Sequence, residues 1–263
     1  MSYKSMKFEV RNNVAWITFN RPDAMNAINS QATNEFYDIV NRCSVDRTIR
    51  AVVLTGSGER AFCAGGDVAE FAEAGDKVEM LIREMTGVLH VGISRLAWLG
   101  APVIAAVNGV AAGAGLSFAA CCDLAIAADH AKFTSAYTHI GLTPDGSSTF
   151  FLNRLLGRRR VMELYMTNRV LSAQEALDWG LVNRVVPAAE LMDEVTKLAE
   201  KLASGPTRAY GGIKKLVMMS PNDTLESQME RETRIIAEMS TTQDAREGIS
   251  AFIAKRKPNF IGE

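Results

Sequence analysis

Two short stretches of small residues carry the strongest chemical signal in this 263-residue chain. They are AFCAGGDV (61–68) and NGVAAGAG (108–115), and each leads from an apolar run toward a helix. Small side chains at a helix start let backbone N–H groups approach a ligand closely, and those first N–H groups have no partner within the helix. Two such turns can aim two amides at one oxygen and stabilise negative charge developing there, an oxyanion hole in which a single donor is worth about 10²- to 10³-fold in rate. The same composition also serves tight helix–sheet packing, and spacing alone leaves both roles open. Other chemistries lack their residues. Neither GxGxxG with a later ribose-binding acid nor GxxxxGK[ST] occurs, so no nucleotide phosphate cradle is expected. GLSFA (115–119) imitates a nucleophile elbow around Ser117, but that arrangement needs a His well downstream of an acid, and the last His is His139. Cys43, Cys63, Cys121 and Cys122 form no CxxC, and His90, His130 and His139 form no HxxxH. Neither a metal site nor a disulfide framework is expected, and the thiols are read as packing residues.

The elements around these turns belong to a globular chain that is 48% hydrophobic. A net charge of -1, from 29 basic and 30 acidic residues, supplies no field for nucleic acid or a membrane surface. The start, MSYKSMKFEV, has no apolar signal region, so a cytoplasmic location is expected. Residues 96–122 carry no charge and are long enough to span a bilayer, but Gly100, Pro102, Asn108, Gly109, Gly113 and Gly115 divide them into a buried strand, a turn and a buried helix. Residues 7–12 and 14–19 read as a hairpin about Asn12-Asn13, followed by an amphipathic helix capped by Ser30 and running to about 43. AVVLT (51–55), PVIAAV (102–107) and DLAIA (123–127) are short, apolar strands of the kind buried in a parallel sheet. Helices at 77–99 and 113–120 intervene, which makes the fold α/β. Helices are then expected at 147–156, 158–167, 172–179, 188–204, 207–218, 221–240 and 242–254. The apolar faces of the late ones must bury against the core or against another subunit.

The segments NRPDAMNAI (20–28), AFCAGGDV, APVIAAVNGVAAGAG (101–115), CDLAIAADHAKF (122–133), GLTPDG (141–146) and AQEALDWGLVNRVVP (173–187) resemble, in order and spacing, the crotonase superfamily, also called the enoyl-CoA hydratase/isomerase family. The resemblance covers essentially the whole chain. It implies an α/β, crotonase-like spiral of ββα repeats over residues 1–200 and a C-terminal helical trimerisation region over 201–263, assembled as a homotrimer or dimer of trimers. It implies an acyl-CoA thioester as substrate, with coenzyme A arriving as part of that substrate and no tightly bound cofactor. By the family pattern the amides of Ala64 and Ala114 would polarise the thioester carbonyl and stabilise an enolate. The CoA moiety would run along Arg21, Ala24 and Met25 and along Ala64, Gly65, Gly66, Asp67 and Val68, with Lys255 and its neighbours Arg256 or Lys257 near the phosphates.

The chain also departs from that pattern. Typical hydratases carry one Glu where this chain has Ser117 and another where it has Tyr137, and hydration relies on that pair to activate water and handle the α-carbon proton. Asp145, in GLTPDG, stands where ring-epoxide and enoyl-CoA isomerases of phenylacetate breakdown carry a catalytic Asp, and REGISAFIAKRKPNFIG (246–262) resembles their C-terminus. The chain resembles the 4-chlorobenzoyl-CoA dehalogenases as well, whose nucleophilic Asp aligns with Asp145, whose base aligns with His90, and which place a Trp where this chain has Tyr137. The expected function is therefore double-bond isomerisation of an enoyl-CoA with Asp145 as acid and base. Alternatives are enoyl-CoA hydration, dehalogenation or hydrolysis with an Asp145 nucleophile and a His90 base, and non-catalytic acyl-CoA binding. Two plainer roles stand beside these: Asp145 as the cap of the helix near Ser147, and His90 as a packed residue. Ser117 and Tyr137 are expected to line the substrate pocket, Ser117 simply by being small.

Overall fold

The computed structural model describes residues 3–263. Strands β1 (Met6–Arg11) and β2 (Val14–Phe19) form the expected hairpin, turned by Asn12 and Asn13 at φ 50° and 61°. Two successive left-handed residues give the turn whose twist matches that of the strands. Helix α1 (Ser30–Val45) follows, and its cap is Asn29, whose side chain accepts the Ala32 N–H, rather than Ser30.

Three times a buried strand is succeeded by a shorter one that peels off into a second sheet. Strand β3 (Ala51–Gly56) leads to β4 (Ala61–Cys63), β5 (Val103–Val107) to β6 (Val110–Ala112), and β7 (Leu124–Ala128) to β8 (Lys132–Thr134). With β9 (Leu171–Ser172) and β10 (Arg184–Val186) the strands make two sheets, in orders β1-β2-β3-β5-β7-β10 and β4-β6-β8-β9. From β2 to β10 the larger sheet is parallel. Both its faces are covered, which is why β3 and β5 are apolar except for Thr55, whose buried hydroxyl donates to the Ala106 carbonyl at 2.9 Å. Phe19, Phe36, Phe62 and Phe118 meet on one face with ring centroids 4.9–5.5 Å apart. On the other face, Leu191, Val195, Ala199 and Ala203, one stripe of α8 (Leu191–Ala203), pack with Trp16, Val53, Ile104 and Ile126.

The helices between strands are α2 (Val68–Ala74) and α3 (Val78–Ala97) after β4, and α4 (Ala114–Cys121) after β6. A loop then carries residues 135–147 to α5 (Ser148–Leu156), α6 (Arg158–Thr167) and α7 (Ala173–Trp179). The stretch 96–122 thus becomes the end of α3, two short strands and α4. No helix among the described residues is long and apolar enough to cross a membrane. Beyond α8 come α9 (Thr207–Met219), α10 (Leu225–Ser240) and α11 (Gln243–Ile253). Lys214 ties α9 to the core through Asp123, at 2.7 Å, and the Ala101 carbonyl, at 3.1 Å. Ile213, Val217, Leu225, Ile236, Phe252 and Ile253 of these last helices stay exposed.

Candidate active site

The turn before α1 and the turn after β4 are built on one another. Ala64 N–H donates to the Met25 carbonyl (3.0 Å), Ile28 N–H to Gly65 (2.7 Å) and Asp67 N–H to Ile28 (2.9 Å). Asn26, buried and left-handed at φ 58°, holds the first turn. Its amide donates to the Ser57 and Ala61 carbonyls at 3.0 and 2.7 Å, and its oxygen accepts the Arg21 N–H at 3.0 Å. The Arg21 guanidinium reaches Asp67 at 2.8 Å, and Asp67 in turn accepts the Ala69 and Glu70 N–H groups at the start of α2. Arg21, Ala24, Met25 and residues 64–68 are therefore brought to one edge, beyond the carboxyl end of β3.

The turn before α4 is pressed against this edge, and glycine makes that contact possible. Gly113, at φ 53°, faces Gly65: a Cβ on Gly113 would sit 3.4 Å from the Gly65 Cα. A Cβ on Gly115 would fall 1.9 Å from the Cys63 carbonyl oxygen. Backbone thinning thus serves the approach of the two turns to each other, as well as the approach of a ligand. Ala114 opens α4, so its N–H has no intrahelical acceptor. The N–H of Ala64 is different, because the Met25 carbonyl already takes it. Two residues further on, the N–H of Gly66 makes no backbone hydrogen bond, and Gly66 and Ala114 both line one cavity. The donor pair that the geometry offers is Gly66 with Ala114.

That cavity measures about 390 Å³. Ile82, Met85 and Leu89 of α3 form one wall, Ile140 and Leu142 the opposite one, and Asp145, Tyr137 and His139 add polar groups. Asp145 Oδ1 accepts a hydrogen bond from the Tyr137 hydroxyl at 2.7 Å, and Oδ2 lies 3.3 Å from His90 Nε2. The carboxylate caps nothing: the residue before α5 is Ser147, at φ 69°, and no side chain caps that helix. Burial, reinforced by the Asp145 charge, pushes the Tyr137 phenol well above its ordinary pKa, so Tyr137 remains a neutral donor. Ser117 is buried and bonds the Asp145 carbonyl at 3.1 Å, with the Tyr137 hydroxyl 3.4 Å away. It supports the Asp145 loop from behind and does not line the cavity. His90 faces a second cavity, on the far side of Asp145. Lys255, at the end of α11, lines neither; the tail beyond it runs to Arg50, whose guanidinium donates to the Phe260 carbonyl at 3.1 Å ahead of the amino end of β3. The residue types alone pointed neither to Asn26 nor to His139, although Asn26 stands inside the quoted NRPDAMNAI.

The sequence model of the enoyl-CoA hydratase/isomerase family matches residues 9–263. The chain is 38% identical to a 1,2-epoxyphenylacetyl-CoA isomerase of Escherichia coli, over 97% of each chain. It is 36% identical to a crotonyl-CoA hydratase of Syntrophomonas wolfei over the whole of both. Its structure superposes on a crystal structure of enoyl-CoA hydratase from Bacillus anthracis with a TM-score of 0.93 at 32% identity, covering 99% of this chain and 100% of that one. The α/β architecture with paired short strands, the two facing backbone turns and these similarities make the chain a member of the enoyl-CoA hydratase/isomerase family of enzymes.

Proposed function

We propose that the protein is an enoyl-CoA isomerase in which Asp145 removes a proton from one carbon of the acyl group and returns it to another. The observation that carries this is the single carboxylate in the cavity, held by Tyr137 at 2.7 Å, facing a pair of unpaired amides, with Ser117 and Tyr137 at the two hydratase carboxylate positions. The thioester oxygen sits between the N–H groups of Gly66 and Ala114, which stabilise the enolate formed when the proton leaves. One base then suffices for both transfers, and no second carboxylate is needed to activate water. Coenzyme A enters as part of the substrate, along Arg21, Ala24, Met25 and residues 64–68. The apolar walls select an unbranched aliphatic or aromatic acyl group of modest size. We also propose assembly as a homotrimer or dimer of trimers through the exposed faces of α9–α11. The Lys255 that meets the CoA phosphates is then another copy's, because within one chain the tail lies toward the opposite end of β3.

The test is proton exchange in deuterated water across a panel of acyl-CoA thioesters. Asp145→Asn should keep thioester binding while α- or γ-proton exchange falls by about 10²-fold or more. Exchange that survives Asp145→Asn but not His90→Ala means the base is misassigned. One observation favours a second mechanism: His90 stands 3.3 Å from Asp145, as a hydrolytic enzyme with an Asp nucleophile would require. That mechanism predicts heavy oxygen from water in the Asp145 carboxylate. Hydrated product would instead assign a hydratase, and binding without any turnover a non-catalytic homologue. Light scattering that returned a monomer at micromolar concentration would remove the assembly proposal.

A further inference from the structure

Behind Asp145 lies a second cavity of about 660 Å³, larger than the one that faces the amides. It opens between α3, α5 and the α9–α10 connection, and His90, Ser94, Ser147, Asp223 and Arg231 are its polar lining residues together with Asn222. The two cavities are separated by a wall one side chain thick. Leu89 and Asp145 line the first, while their neighbours His90 and Ser147 line the second. The wall is made of groups that move protons. His90 Nε2 lies 3.3 Å from Asp145 Oδ2 and also accepts the Gly146 N–H at 3.2 Å. Accepting that N–H places the neutral ring's proton on Nδ1, which has no protein partner among the described residues. The His90 side chain is half exposed in this cavity, which at about 30 Å³ per molecule has room for water beside the ring.

We propose that His90 is a proton conduit, connecting Asp145 to water in the second cavity while substrate fills the first; this rests on the isomerase reading of Asp145. When Asp145 takes a proton from carbon, that proton passes from Oδ2 to Nε2, so an O–H bond breaks as an N–H bond forms. Nε2 gives up the Gly146 N–H in exchange for Asp145, and the ring becomes an imidazolium. Nδ1–H is then released to water, which leaves the substrate's hydrogen on Nε2. The half-exposed ring turns Nε2 into the second cavity, exchanges that hydrogen with water and turns back. Nδ1 takes up a proton from water, and Nε2 passes a solvent hydrogen to Asp145 and so to the product. The only other ionisable groups lining the second cavity are Asp223 and Arg231, paired with each other at 2.6 Å, so nothing there competes for the imidazole proton. Tyr137, on the other side of Asp145, donates to Oδ1 and leaves Oδ2 to the transfer. His90 acts through Asp145 and touches no substrate atom.

The experiment follows a substrate deuterated at the carbon that is deprotonated, turned over in ordinary water, with deuterium retention in the product measured at low conversion. The unmodified enzyme should lose most of the label. His90→Leu, and Ser94→Phe, which adds bulk at an exposed position of the second cavity one helical turn from His90, should each raise retention about fivefold or more relative to product formed. Retention equal in all three overturns the conduit. If no thioester exchanges any proton with the unmodified enzyme, the isomerase reading falls and takes the conduit with it, whereas turnover with equal retention in all three overturns the conduit alone.

Discussion

Replacing Gly115 by Ala measures how closely the spacing of the two amides depends on backbone contact. A methyl group built there falls 1.9 Å from the Cys63 carbonyl oxygen, 2.7 Å from its carbonyl carbon and 3.0 Å from its Cβ. A carbon and a carbonyl oxygen rest at about 3.3 Å, so the first turn of α4 and the end of β4 must part by roughly 1.4 Å. The obstacle is main chain, and Cys63 is fully buried, so no flexible side chain can swing aside. Ala114 precedes the strained contact by one residue and Gly66 follows Cys63 by three, so most of the displacement appears in the distance between their N–H groups. A 1 Å error in a reacting geometry costs about 10²-fold, and one misplaced oxyanion donor a similar factor, so kcat should fall by about 10²-fold. Overpacking should also lower stability by about 1–3 kcal/mol. The assay pairs proton-exchange rates with thermal melting, and Gly87→Ala on α3 is the control. A Cβ at Gly87 meets nothing within 4 Å, so that variant should keep its rate and gain roughly 0.5–1 kcal/mol from helix propensity. A Gly115→Ala enzyme that melts early yet turns over at the unmodified rate would refute the coupling of packing to amide spacing.

Asn26→Ala removes four hydrogen bonds from a buried left-handed turn and should cost about 2–4 kcal/mol in urea unfolding, with weaker thioester binding by calorimetry. Ser117→Ala leaves the Asp145 carbonyl its bonds from Ser148, so a loss near 1 kcal/mol and an exchange rate within about threefold of the unmodified enzyme are expected. Glu247 accepts two N–H bonds from Arg256 and one from the Asn259 amide, which hold its carboxyl down at about 2. Its pKa is lower folded than unfolded, so this anchor is complete above the unfolded value near 4.3 and is lost as pH falls toward about 2. Amide exchange at Asn259 should accelerate across that window beyond its intrinsic pH trend, and Glu247→Gln should abolish the excess.

The buried strands and the late helices were legible because their signals are local: unbroken apolar runs such as VIAAV, and one-sided stripes such as that of α8. The second sheet was not legible from periodicity, since its strands are two or three residues long, too short to show an alternation. It came only as an implication of the family likeness. At the site, the two turns could be read from their small residues, but which amide is free could not. The partner of Ala64 N–H is the carbonyl of Met25, 39 positions earlier, and only folding brings the two together. The shift of a cap from Ser30 to Asn29 has a similar origin, because either side chain suits that role and the backbone direction decides. His90 of α3, Ser117 of α4, and Tyr137 with Asp145 of the 135–147 loop come from three separate segments, and no spacing rule joins them.

The separation of main-chain from side-chain duties at this site has a consequence for how it tolerates change. The proposed cradle for the thioester oxygen depends on Gly65, Gly113 and Gly115 because each abuts backbone of the facing turn. Substitution there penalises every reaction that passes through an enolate, whatever its later course. Residues 90, 137 and 145 instead project from α3 and from the 135–147 loop, outside the two glycine turns, so exchanging their side chains alters proton inventory and leaves the cradle intact. Capture of the thioester and choice of reaction are thereby written on different atoms, and a single replacement at position 145 can redirect the chemistry of a scaffold that still binds and polarises the same group.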